Sequence, residues 1–116
     1  IYSKAMKIIE HFVEGKKYSG NSKRTSFIYN PATGEATAKV KLGSTEDLNN
    51  AVEVAQQAFL NWSNTPPLQR ARVLFKFKEL IQKNEDELIK IIVSEHGKVY
   101  EDARGSLTRG LEVVEY

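Results

Sequence analysis

Cysteine is absent from the 116 residues. That excludes disulfides, thiolate metal ligands and a cysteine nucleophile within them. Proline is scarce, at three residues, and no low-complexity tract or internal repeat interrupts the chain. No run of about 18 apolar residues occurs, so no segment reads as a membrane-spanning helix. A strong charge of either sign is also missing. Seventeen Lys and Arg face fifteen Asp and Glu, a formal net charge of +2, which is too close to balance to imply a nucleic-acid partner. The glycine-rich fingerprints of nucleotide sites are lacking too. No Gly-x-Gly-x-x-Gly is present, and a phosphate loop ending at Gly97-Lys98 fails because position 92 is Ile and position 99 is Val.

What remains is an ordinary globular composition, 41% hydrophobic and 28% charged, with length for one domain. Charge is unevenly spread. Residues 1–43 carry eight bases and three acids, whereas residues 44–116 carry nine bases and twelve acids. The hydrophobic period changes at the same place. Before it, Ile9, His11 and Val13 alternate with polar neighbours, Gly15 supplies a turn and Lys17-Tyr18 begins a return strand. Ser26–Tyr29 reads as a strand, Asn30-Pro31-Ala32-Thr33-Gly34-Glu35 as a turn, and Ala36–Leu42 as a strand with one apolar face.

From Ser44 onward the period is helical. Ser44 and Asp47 form a capping box, followed by Leu48, Ala51, Val52, Ala55, Phe59 and Trp62 at spacings of three and four. Thr65 is placed to cap a second helix with Pro66 at its first position, whose buried stripe runs through Leu68, Ala71, Leu74, Phe75, Lys78 and Ile81. Asn84-Glu85-Asp86-Glu87 starts a third helix carried by Leu88, Ile91 and Ile92, with Gly97 as a left-handed C-cap. A fourth uses Tyr100, Ala103, Leu107, Leu111 and Val114. It contains Gly105 and Gly110, each costing about 1 kcal/mol in a helix, which points to close packing or to an approach onto the backbone. That helix reaches Tyr116 without a capping residue, so the natural chain is expected to continue. At the other end, residues 1–5 before Met6 read as an upstream extension or as a non-native remnant of cloning.

Few residues carry chemistry. The two histidines, His11 and His96, lie in different halves, so no metal site is expected. Lys16, Lys17, Lys23 and Arg24 near Tyr18 and Phe27 make a basic patch with aromatics, a nucleic-acid signal whose bland counterpart is charged strand rims. Arg70 and Arg72 read as surface or ion-paired. Arg109 lies between the two helical glycines, where a guanidinium has room to grip a carboxylate with two parallel hydrogen bonds. A salt bridge to Glu112 or a neighbour is the simpler alternative.

The segments His11-Phe12-Val13-Glu14-Gly15-Lys16, Asn30–Glu35, Ala58–Ser63, Arg70–Phe75, Glu95-His96-Gly97-Lys98 and Arg109-Gly110-Leu111-Glu112 together resemble the N-terminal part of aldehyde dehydrogenases. The last segment resembles the CoA-acylating methylmalonate-semialdehyde branch. The resemblance implies an α/β, aldehyde dehydrogenase-like fold, present here only as its N-terminal part: short antiparallel strands (1–43) followed by four helices (44–116) of the NAD-binding domain. It implies that an intact, oligomeric enzyme uses NAD and coenzyme A. A cysteine attacks methylmalonate or malonate semialdehyde, hydride passes to NAD, and propionyl- or acetyl-CoA leaves with carbon dioxide. Cysteine and nucleotide site lie beyond this segment, so it neither binds a cofactor or metal nor catalyses alone. By the same resemblance, Arg109 holds the substrate carboxylate. The chain departs from the family where an acidic residue usually follows the glycine: Gly105 is followed by Ser106-Leu107. The partners implied are the remainder of the enzyme and a small semialdehyde, with no nucleic acid and no membrane. The compartment implied is the cytoplasm, or the mitochondrial matrix in a eukaryote. The competing reading is a complete small binding module for an anionic, nucleic-acid partner.

Overall fold

The computed structural model describes residues 5–116. The reading of residues 1–5 as an extension therefore lies, for 1–4, outside the described residues. Among the described residues, five strands precede four helices: β1 (Lys7–Ile9), β2 (His11–Val13), β3 (Lys16–Tyr18), β4 (Thr25–Tyr29), β5 (Ala36–Lys41), α1 (Thr45–Trp62), α2 (Pro67–Lys83), α3 (Glu85–His96) and α4 (Tyr100–Glu115). They fall into two compact units. One holds the strands and α1; the other holds α2, α3 and α4 together with the turn Asn30–Thr33.

In the first unit, the alternating stretch read as one strand breaks at Glu10. β1 pairs with β5, while β2 pairs with β3 in a separate ribbon. One strand cannot follow two partners in different sheets, and the break lets the chain change sheets. The ribbon closes through Glu14 and Gly15, both at positive φ (56° and 74°), the two-residue turn whose twist matches the flanking strands. β4 and β5 form an antiparallel hairpin with a bulge at Ile28/Tyr29. The expectation of antiparallel strands needs one correction, because β1 runs parallel to β5. The β2–β3 ribbon inserted after β1 gives the chain length to return and enter the sheet from the opposite edge.

Local signals set the helix starts. Ser44 Oγ accepts the Asp47 amide (3.1 Å) and Asp47 Oδ2 accepts the Ser44 amide (2.9 Å), closing the capping box of α1. The start of α2 lies one residue later than expected, with Pro66 as N-cap and Pro67 at the first helical position. A residue before proline is driven from helical to extended backbone, and Pro66 has ψ 144°. Gly97 caps α3 in the left-handed region at φ 76°. A Cβ there would stand 3.0 Å from Pro31 Cγ, so Pro31 also needs the glycine.

In the helical unit, the fully buried apolar residues among those described are Ile89 of α3 and Ala103 of α4. Ile89 was not among the expected stripe residues, and Ile91, which was, is 46% exposed. In α2, Ala71, Lys78 and Ile81 are half-buried, but Leu68, Leu74, Phe75, Phe77 and Leu80 are exposed. Sequence period shows which helix face is apolar. It does not show whether this stretch of chain supplies what covers it.

Candidate functional site

The corner between α3 and α4 carries the polar chemistry of the helical unit. Gly97 ends α3, Val99 (φ −70°, ψ 157°) begins α4, and Lys98 is pinned between them. Tyr100 Oη donates to Asp86 Oδ1 at 2.8 Å, and the Lys90 ammonium lies 2.7 Å from Asp86 Oδ2. These two donors, Lys90 first, hold the Asp86 carboxyl below its ordinary range and raise Lys90 and Tyr100 in return. Arg104 sits over the Tyr100 ring (5.8 Å) and faces Glu85 (3.7 Å) and Glu101 (3.8 Å). Asp86 and Arg104 therefore serve the α3–α4 contact.

One turn along α4 the pattern changes. Arg109 Nη2 donates to Ser106 Oγ at 3.3 Å, and Lys98 Nζ donates to the same oxygen at 2.9 Å. The Ser106 hydroxyl donates to the Asp102 carbonyl at 3.3 Å. Neither Lys98 nor Arg109 takes part in an ion pair among the described residues, so the simpler reading of Arg109, a bridge to Glu112, is not what forms. The glycines also differ from the packing expected of them. A Cβ on Gly105 would stand 3.4 Å from Arg109 Nη1, whereas one on Gly110 would meet nothing within 4 Å. Gly105 leaves a bare helix surface on which the guanidinium lies. The other arginine pair also needs revision, because Arg70 is half-buried with a buried Nε that has no hydrogen-bond partner.

The strand unit has its own polar centre at Asp47, only 5% exposed. Its carboxylate accepts from the Ser44 amide (2.9 Å), the Asn21 amide (3.0 Å) and Tyr18 Oη (3.1 Å). These donors, Ser44 foremost, bring its pKa down to about 2 against the opposition of burial. The Tyr18 phenol is raised, by burial first and by Asp47 second. Gly20 makes the approach possible: at φ 70°, a Cβ there would lie 2.7 Å from the Asp47 oxygens. Beside this centre a groove of about 570 Å³ is walled by His11, Phe12, Tyr18, Leu48 and Ala51. His11 Nε2 is buried without a partner. Asp47 was legible only as a capping residue. Its link to Tyr18 spans 29 positions, a distance at which no sequence period speaks.

The remaining candidates stay apart. Lys16, Lys17 and Tyr18 lie on the β2–β3 ribbon, while Phe27 belongs to the other sheet, where Lys39 sits over its ring at 5.3 Å. With Arg24 donating to the Gly43 carbonyl (2.9 Å) and Tyr18 to Asp47, the basic-aromatic patch is divided between two sheets. His96 ends α3, and among the described residues no three metal-binding side chains converge. The one parallel pair among the described residues, β1 with β5, is joined through strands instead of a crossover helix. No helix among the described residues is long and apolar enough to cross a membrane.

Comparison with known proteins places these features. A model of the aldehyde dehydrogenase family matches residues 18–116. The malonate-semialdehyde dehydrogenase of Pseudomonas aeruginosa is 45% identical over 111 residues, which are 96% of this chain and 22% of that protein. Malonate-semialdehyde dehydrogenase 3 of Geobacillus kaustophilus is 43% identical, over 95% of this chain and 23% of its own length. The structure of methylmalonate-semialdehyde dehydrogenase from Oceanimonas doudoroffii superposes with a TM-score of 0.92 at 46% identity, covering 96% of this chain and 22% of that one. A Sinorhizobium meliloti protein assigned to the same activity, crystallised with NAD, also gives 0.92 at 47% identity, over 95% and 22%. The chain thus spans about a fifth of the length of the relatives it matches.

Proposed function

The chain belongs to the aldehyde dehydrogenase family, and from that premise we propose that it is the N-terminal segment of an NAD-dependent, CoA-acylating malonate- or methylmalonate-semialdehyde dehydrogenase. In the intact enzyme the semialdehyde, NAD and CoA are converted to acetyl- or propionyl-CoA, carbon dioxide and NADH. The thiol that attacks the aldehyde belongs to the remainder of the protein, since covalent catalysis of this kind needs a nucleophile that these cysteine-free residues lack. The helical part, 44–116, opens the NAD-binding domain. The intact enzyme is an oligomer of the cytoplasm or, in a eukaryote, the mitochondrial matrix. Alone, the segment reduces no NAD.

What this segment supplies is substrate selection. Arg109 carries five N–H donors in a planar fork, and its neighbour in the structure is a neutral hydroxyl 3.3 Å away. This is the observation that carries the reading. A guanidinium held on a bare glycine surface and unmatched by a carboxylate is suited to a ligand carboxylate, with charge-assisted hydrogen bonds of about 1.5–3 kcal/mol at stake. Holding the carboxylate end fixes the distance and direction of the aldehyde at the other end, which orients it for attack.

The test compares two substrates in the complete enzyme. Arg109→Ala should raise KM for malonate semialdehyde about 10- to 100-fold and leave that for an uncharged aldehyde such as propanal within about twofold. An equal change for both substrates rejects the carboxylate role.

A further inference from the structure

We propose that Lys98 is a second cation of the same site, binding the substrate carboxylate together with Arg109. The inference rests on the carboxylate reading of Arg109 and extends it to a residue that sequence spacing left as part of a Gly-Lys pair. Its basis is the convergence on Ser106. Lys98 Nζ is 2.9 Å from Ser106 Oγ and Arg109 Nη2 is 3.3 Å from it, so the two positive groups are no farther apart than those bonds laid end to end. A hydroxyl oxygen offers two acceptor sites and one proton. Both acceptor sites receive a cation's proton, and its own proton goes to the Asp102 carbonyl. Ser106 is therefore saturated, and being neutral it answers neither charge.

Two like charges this close repel each other, and no acid among the described residues pairs with either. At the neighbouring α3–α4 contact the cations are matched, Lys90 with Asp86 and Arg104 with Glu85 and Glu101, whereas Lys98 and Arg109 share one neutral hydroxyl. A ligand carboxylate supplies the missing negative charge with two oxygens, one for each cation. The division of labour follows from the side chains. Arg109 gives planar, directional donors, and Lys98 gives a compact point charge. Lys98 is also half-buried, with its backbone set by the left-handed cap before it and the helix start after it. Its ammonium is accordingly pre-positioned.

A structural role for Lys98, holding the α3–α4 corner through Ser106, predicts a different outcome. Lys98→Gln keeps a donor for Ser106 Oγ and removes the charge; Lys98→Arg restores the charge. In the complete enzyme, Lys98→Gln should raise KM for malonate semialdehyde about tenfold, at least fivefold more than for propanal, and Lys98→Arg should recover most of the loss. Inhibition by malonate, measured as Ki against the semialdehyde, should weaken in parallel in Lys98→Gln. Equal KM changes for the two aldehydes, or no change in either, overturn the proposal. Should Lys98→Gln not fold, the malonate Ki of Lys98→Arg decides: within about threefold of the parent supports it, and a larger loss overturns it. Arg109→Ala runs beside these variants. If it discriminates between the aldehydes and Lys98→Gln does not, only the role of Lys98 falls. If Arg109→Ala does not discriminate, the carboxylate site and this extension of it fall together.

Discussion

The two compact units differ in the chemistry of their most buried positions. At the centre of the helical unit are Ile89 and Ala103, apolar and without accessible surface. At the centre of the strand unit is a charge, the Asp47 carboxylate, gathering protons from Tyr18, Asn21 and Ser44. Apolar burial is non-directional and tolerates modest rearrangement. A carboxylate met by three donors does not, because each bond specifies a distance and an angle. The most buried side chain of the strand unit is thus fixed by hydrogen-bond geometry where those of the helical unit are fixed by packing, and both units leave large apolar faces open. Phe12 in the first is 73% exposed and Val113 in the second 77%.

The contrast can be broken first at Ile89. Ile89→Ala should cost about 3 kcal/mol, within the range for burying a cavity in a core. Amide hydrogen exchange in the complete enzyme should show the loss in α3 and α4 and leave β1 to α1 unchanged. A loss spread equally over both units would show that they do not stand on separate centres.

The next effect in size is expected at Asp47. Asp47→Asn should raise exchange in residues 19–24 and the first turn of α1, with α3 and α4 unaffected. Acid sharpens the same point. The folded pKa, about 2, lies below the ordinary 3.8, so the carboxylate contributes fully above about pH 4. That contribution declines as pH falls from there to about 2. An acid titration followed by exchange in the α1 first turn should show the decline in the parent and its absence in Asp47→Asn.

The smallest effects separate the two helical glycines. Alanine in place of either gains about 1 kcal/mol of helix propensity. At Gly105 the new methyl meets Arg109 Nη1 at 3.4 Å, and at Gly110 it meets nothing within this segment. Gly105→Ala should therefore raise KM for the carboxylated aldehyde about twofold by crowding the guanidinium. Gly110→Ala should leave that KM unchanged. Identical KM values in the two variants would show that the bare surface at Gly105 does not set Arg109.

How far the fold was legible follows the range of the forces. Features closed within a few residues were readable: the Ser44–Asp47 box, the left-handed Gly97, and the 30–35 turn, where Asn30 Oδ1 accepts the Ala32 amide at 2.9 Å. Features that need a distant partner were not. The break at Glu10 depends on β5, whose residues pair with β1 across more than thirty positions, and the Asp47 centre on Tyr18. The stripes on α1 and α2 were seen as apolar, but Leu48, Leu68 and Phe75 remain exposed, because periodicity cannot say which chain covers a face. Arg109 was singled out from its flanking glycines and its family resemblance. Its convergence with Lys98 on Ser106 was invisible, because the order of residues does not show that a lysine ahead of a helix folds over its second turn.

The turn at Asn30–Thr33 has a practical consequence. It sits with α2, α3 and α4, although its neighbours on both sides belong with the strands. Neither unit is an uninterrupted stretch, so no single cut in the gene separates them cleanly. Any cut from Thr33 to Thr65 parts Pro31 from Gly97, where an added Cβ would stand 3.0 Å from the proline ring. Split-reporter halves, chimaeras and truncations that divide this segment inside that window would each carry an orphaned piece of the other unit. For engineering purposes the residues are transplanted together or not at all.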